Sequence, residues 1–184
     1  MKKTLIIIGV IAVVIVVGFF GYYNKFVTAA EDVDGQWAQV ETQYQRRFDL
    51  IPNLVESVKG IMEQEQEVFG ALAEARTRYA GAASVNEKAA AAGEVESALS
   101  RLLVIMENYP QLRSADTVQT LMAQLEGTEN RISVERIRYN DTVRSYNVMV
   151  KRVPANILAD MFGFGEKIYF EVAAGVEQSP PVEF

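Results

Sequence analysis

The residues best equipped for chemistry are charges set into otherwise apolar helical stripes. Arg46, Arg47 and Asp49 sit beside Pro52 and Asn53 in "RRFDLIPNLV", and Glu129 and Arg136 lie further along. Carboxylates and guanidiniums can bind anions, hold magnesium or move protons when burial shifts their ionisation. The chain adds little to that repertoire. It contains neither histidine nor cysteine, which excludes Ser-His-Asp and Cys-His catalysis, thiolate nucleophiles and zinc held by those ligands. No catalytic residue, cofactor or metal site is therefore assigned, and a magnesium-assisted reaction around Glu129 is the residual enzymatic reading.

Glu129 and Arg136 fall on the seam Met122, Leu125, Glu129, Ile132, Arg136, Tyr139, Val143, Tyr146, Val150 and Val153, where an apolar residue is the default. They lie about two turns apart, too far for direct contact within one helix. Each needs a partner elsewhere, because an unpaired buried charge costs ~3–5 kcal/mol. Arg46 or Arg47 is a candidate partner for Glu129, although a simple antiparallel register sets Glu129 nearer the level of Trp37. A structural network that fixes helix register is preferred to a binding site.

The elements that must position these charges are helices. Phe26, Ala30, Val33, Trp37, Val40 and Tyr44 follow a heptad seam, and a second run follows in Ile51, Leu54, Val55, Val58, Ile61, Met62, Val68, Phe69 and Leu72. Asp49 is an N-cap type, with Pro52 in the first turn of a new helix, where a missing N–H is tolerated. This favours a corner at "RRFDLIPNLV" over a helix that runs through and kinks at Pro52, at a cost of ~3 kcal/mol. Asn86 is the expected cap of a third helix that stops near Pro110, and Asp116 the cap of a fourth. Helices over 24–49, 52–80, 87–108 and 116–153 then form an antiparallel up-down four-helix bundle, an all-α fold with long helices.

The bundle is preceded by "MKKTLIIIGVIAVVIVVGFFGYYNKF". From Leu5 through Ile8, Val14 and Phe19 to Tyr22 and Tyr23 no side chain is charged. At ~1.5 Å per residue this run reaches ~28 Å, enough to cross a bilayer's hydrocarbon core. An uncleaved anchor is favoured over a signal peptide, since the run exceeds the usual ~7–15 residues of the latter. Lys2 and Lys3 precede it while Glu31, Asp32 and Asp34 follow. Positive-inside bias then puts the N-terminus in the cytoplasm and the helical body in the periplasm, with the protein single-pass in the inner membrane.

The net charge of −6 argues against a general electrostatic grip on nucleic acid or anionic lipid. The segmentation expected is an anchor over 1–23, a bundle over 24–153, a membrane-proximal tail over 154–171 and a disordered end over 172–184. In the tail, Ile157, Leu158, Met161, Phe162 and Phe164, followed by Tyr169 and Phe170, form an aromatic patch. It either caps the bundle, rests on the membrane or contacts a neighbouring subunit.

"RRFDLIPNLVESVKG", "EGTENRISVERIRYNDTVRSYN" and "FGFGEKIYFE" together resemble the LemA family of bacterial membrane proteins, over roughly residues 20 to 171. The resemblance implies one N-terminal membrane helix and an antiparallel four-helix bundle, with no established enzymatic activity. It makes Arg46, Arg47, Asp49, Pro52, Asn53, Glu129, Asn130, Arg131, Tyr139 and Asn140 signature positions. LemA-like domains occur in a magnetosome protein associated with membrane invagination, and family members often accompany TPM-domain membrane proteins. The expectation is a non-enzymatic, bilayer-anchored scaffold that forms homo-oligomers, with an envelope-stress adaptor or sensor as the alternative.

Overall fold

Gly60, not the proline at 52, ends the first helix. The computed structural model describes residues 2–113 and 115–171, so the expected disordered end over 172–184 lies outside the described residues. Among those described the chain is all-α: α1 (Lys2–Lys59), α2 (Gln66–Gly81), α3 (Val85–Met106), α4 (Pro110–Arg113), α5 (Asp116–Lys151) and α6 (Ala155–Phe162). The corner expected at Asp49 is absent, and α1 runs unbroken through Pro52. The reason lies in the stripe on either side. Tyr44, Phe48, Ile51, Leu54 and Val58 are all buried, and their steps of three and four stay in phase across the proline. A corner would have broken that phase. Asp49 caps nothing, its Oδ1 instead accepting a hydrogen bond from Gln45 one turn back at 2.7 Å. The helix stops where Gly60 follows Lys59, and the amides of Ile61 and Met62 both donate to the Val58 carbonyl at 3.0 Å.

Two further boundaries shift for local reasons. The third helix is capped by Ser84 rather than Asn86. Ser84 Oγ accepts from the Glu87 amide at 3.2 Å, and the Glu87 carboxylate accepts from the Ser84 amide at 3.0 Å, a full capping box. At the start of α5, Asp116 lies inside the first turn, where its charge favours the helix dipole. The amide of Gln119 donates to Ala115 at 3.0 Å, which makes Ala115 the cap position.

The chain divides into two compact units. The first comprises Met1–Gln39 and Ile137–Tyr169. Phe26 and Val33 of α1, Val143, Tyr146 and Val150 of α5, and Ala159 of α6 are buried in it. Here Asn147 grips the segment after α6 with two hydrogen bonds to Lys167, donating to its carbonyl and accepting from its amide, each 2.9 Å. The Tyr139 hydroxyl donates to the next carbonyl, that of Ile168, at 2.9 Å. Lys167 Nζ meets Asp34 at 2.8 Å. Gly163 ends α6 in the left-handed region at φ 77°, and the Phe164 amide then returns to the Ala159 carbonyl at 2.9 Å.

The second unit comprises Val40–Arg136 and the chain from Phe170. Tyr44 and Phe48 of α1 pack with Tyr79 of α2, the last two edge to face at 4.6 Å between ring centres. Leu72, Val95, Leu99, Leu102 and Ile132 are also buried in this unit.

From Leu5 to Val17 the large apolar side chains of α1 are more than half exposed. The N-terminal part of α1 that contains this stretch is long and apolar enough to cross a membrane.

Candidate functional site: a buried charge network beside an apolar cleft

The second unit gathers the charges that interrupt its stripes into one network. Arg47 projects from the buried face of α1 and is 8 % exposed. Its Nη1 forms an ion pair with Glu129 of α5 and lies 3.8 Å from Glu96 of α3. Glu96 in turn accepts from Arg136. Arg136 also donates through Nε to the Tyr44 hydroxyl at 2.9 Å, while its guanidinium lies 4.8 Å from the centre of the Phe170 ring. Two guanidiniums and two carboxylates thus balance in a half-buried site, closed by two aromatic rings.

Burial governs the ionisation here. It pushes the Tyr44 phenol up to about 12, against the opposing pull of Arg136. Desolvation lowers Arg47, with Glu96 opposing. For Arg136 burial also works against the charge, but Tyr44 and Glu96 outweigh it and the net direction is upward. Each carboxylate faces a guanidinium, so the arrangement is equipped to fix the relative register of α1, α3 and α5.

The pairing of Arg47 with Glu129 corrects the simple register, which set Glu129 beside Trp37. Because α1 continues to Lys59, Arg47 lies about as far before its end as Glu129 lies beyond the start of α5. Antiparallel packing then brings the two level. In the first unit Trp37 stacks edge to face on Tyr139 instead, 5.3 Å between centres.

The other residues singled out from the sequence are dispersed. Arg46, Asp49 and Asn53 are exposed on α1, and Pro52 is half-buried. Asn130 and Arg131 are exposed on α5, and Asn140 is half-buried. Tyr139, on α5, holds the strap that follows α6 through the Ile168 carbonyl. In the tail, Phe162 and Phe164 pack, Phe170 is buried, and Ile157, Met161 and Tyr169 are exposed. Sequence reasoning missed Glu96, Tyr44 as a hydrogen-bonding group, and Asn147. Glu96 follows Val95 on α3 and carries no local signal that separates it from solvated glutamates.

Next to the Arg47–Glu129 pair, α3 and α5 leave a cleft of about 790 Å³. Leu99, Leu103, Met106, Val118, Met122 and Leu125 form its apolar walls. Among the described residues no group of three or more carboxylates is placed to hold a metal.

Fold and site define a class: an all-helical protein with one N-terminal helix able to span a bilayer and a helical body braced by interior ion pairs. The chain belongs to the LemA family, whose sequence model matches residues 36–184. It is similar to magnetosome proteins MamQ 1 and MamQ 2 of Paramagnetospirillum magneticum strain AMB-1. To each it is 29 % identical over 192 residues, covering 88 % of this chain and 71 % of the relative. MamQ of Magnetospirillum gryphiswaldense is 29 % identical over 174 residues, covering 80 % of this chain and 64 % of that protein.

Proposed function

We propose that the protein is a non-enzymatic scaffold, anchored by one helix in the inner membrane, that self-associates laterally at the cell envelope and organises or shapes membrane. Its body is read as an up-down four-helix bundle, with Pro52 inside the first helix. The observation that carries the reading is the exposure of Ile137 and Val148 along the α5 part of the first unit, beyond the span. Confining many copies to one bilayer raises their effective concentration, so weak contacts of this kind suffice for assembly. The family's occurrence in magnetosome proteins supports a membrane-organising role. Lys2 and Lys3 ahead of the span, and the acidic residues after it, favour a cytoplasmic N-terminus and a periplasmic body. The test is energy transfer between donor- and acceptor-labelled copies in vesicles. Transfer that persists on dilution with lipid supports the scaffold, and transfer that falls to the random-collision level rejects it.

A second reading, an envelope adaptor that binds one membrane partner such as a TPM-domain protein, is favoured by a specific feature. Arg46, Asp49 and Asn53 share an exposed face of α1 at helical spacing. Photo-crosslinkers at these positions should then capture one defined foreign protein, whereas recovery of self-crosslinks alone argues for the scaffold.

A further inference from the structure

The short helix α6 has apolar side chains on three of its four sides. At about 100° per residue, Ala155 and Ala159 mark the inner side, and both are buried. Phe162 at its end packs edge to face on Phe19 at 4.5 Å and on Tyr23 at 5.1 Å. Phe164, just beyond the Gly163 turn, packs on Tyr23 and Phe26 at 5.9 and 5.3 Å. Opposite this inner side stand Ile157 and Met161, 65 % and 60 % exposed, with Val153 preceding them at 76 %. Asn156 and Asp160 share one flank, and the flank facing away from them carries Leu158.

Height decides what covers the outer side. Phe19 and Tyr23 are the last turn of the charge-free run, so they lie where hydrocarbon gives way to headgroups when that run spans a bilayer. A helix docked on them lies at the same depth. In that position one polar flank turns to water, one apolar flank turns to the acyl chains, and the outer apolar side meets lipid beside the span. This is the pattern of a helix lying in the interface.

We propose that α6 is an interfacial membrane helix, seated in the headgroup–acyl boundary through Ile157, Met161 and Val153, which gives the protein a second attachment to the leaflet its span leaves. The proposal rests on the reading of Leu5–Tyr23 as a bilayer span. The attachment is apolar and needs no anionic lipid, in keeping with the acidic chain. It is continuous with the lipid-facing surface of α1, and this continuity selects lipid over a second copy as the occupant.

The chain contains no cysteine, so single spin labels can be placed cleanly. Full-length protein carrying a nitroxide at I157C, M161C, D160C or V14C is reconstituted in phosphatidylethanolamine–phosphatidylglycerol vesicles. Relaxation by oxygen is compared with relaxation by an aqueous nickel chelate. The expected result is oxygen-dominated relaxation at 157 and 161, several-fold over the chelate and of the same sense as at 14, with the ratio reversed at 160. Chelate-dominated relaxation at 161 with a lipid-like signal at 14 overturns the proposal while leaving the span intact. Shielding of 161 from both agents, with dipolar broadening, replaces lipid by a second copy and also overturns it. A water-like signal at 14 removes the span and the proposal together.

Discussion

Arg47 of α1 and Glu129 of α5 form an ion pair, and each is a charge where its helix's apolar stripe calls for an aliphatic residue. The pair is completed from a third helix by Glu96, which lies 3.8 Å from Arg47 and also accepts from Arg136. Every register shift among these helices would leave at least one of the four charges without its partner, at a cost set by desolvation. The network therefore discriminates against alternative packings that aliphatic stripes alone would tolerate.

Glu96 is the central carboxylate, so its removal should hurt most. Its side chain is 25 % exposed, against 41 % for Glu129. Glu96→Gln leaves Arg136 without its carboxylate and Arg47 with Glu129 alone, and should destabilise by about 2 kcal/mol, a buried-pair cost reduced by partial solvation. Glu129→Gln should cost less than about 1 kcal/mol. Chemical denaturation of both variants and of the double variant gives the two costs and their coupling.

Pro52 in the interior of α1 removes the hydrogen bond to the Phe48 carbonyl. Pro52→Ala should raise stability by about 2 kcal/mol, the ~3 kcal/mol helix-interior penalty less the ~1 kcal/mol of entropy that proline removes from the unfolded chain. At a helix–helix corner the same substitution would instead be neutral or destabilising. Thermal melts of the two proteins measure the sign directly.

Tyr44 should resist alkaline ionisation. Burial raises its folded pKa from the ordinary value near 10 to about 12, so the folded state keeps the proton that the unfolded chain releases first. The stability this contributes is fully present below pH 10 and is lost as pH rises towards 12. Absorbance near 295 nm should show a late-ionising tyrosine that is missing in Tyr44→Phe.

Ser84, not Asn86, should be the residue that matters at the start of α3. Ser84→Ala should cost ~1 kcal/mol and Asn86→Ala close to nothing. Glu87, held below its ordinary range by the Ser84 and Ala83 amides, contributes stability present above the unfolded carboxylate pKa and lost as pH falls through its folded value. The Glu87→Gln difference should therefore shrink in acid when the melts are repeated there.

The helical class, the membrane-length run and the family were legible because each rests on repetition along the chain. Heptad steps through Val40 and Tyr44, or a charge-free stretch from Leu5, do not depend on distant contacts. Pro52 misled because its local chemistry suits a first turn as well as it suits a tolerated interior position. Only the phase of Phe48, Ile51 and Leu54 across it separates the two. Ser84 was displaced by Asn86 because both are good caps, and the reciprocal bond from Glu87 decides between them. Glu129 and Arg136 were visible as charges out of place. Glu96 was not, since its role exists only once α3 lies against α1 and α5, and a glutamate beside an apolar stripe is the ordinary appearance of a solvated residue. The tail's aromatic character was readable, but not its division into the packed α6 segment and the extended strap held by Asn147.

The central claim is lateral assembly of bilayer-anchored copies. Its most direct test is single-particle electron microscopy of the full-length protein extracted with its native lipid, over a wide range of concentration. A closed or repeating assembly, with α5 surfaces between copies, is the predicted result. Isolated single copies at every concentration would contradict it.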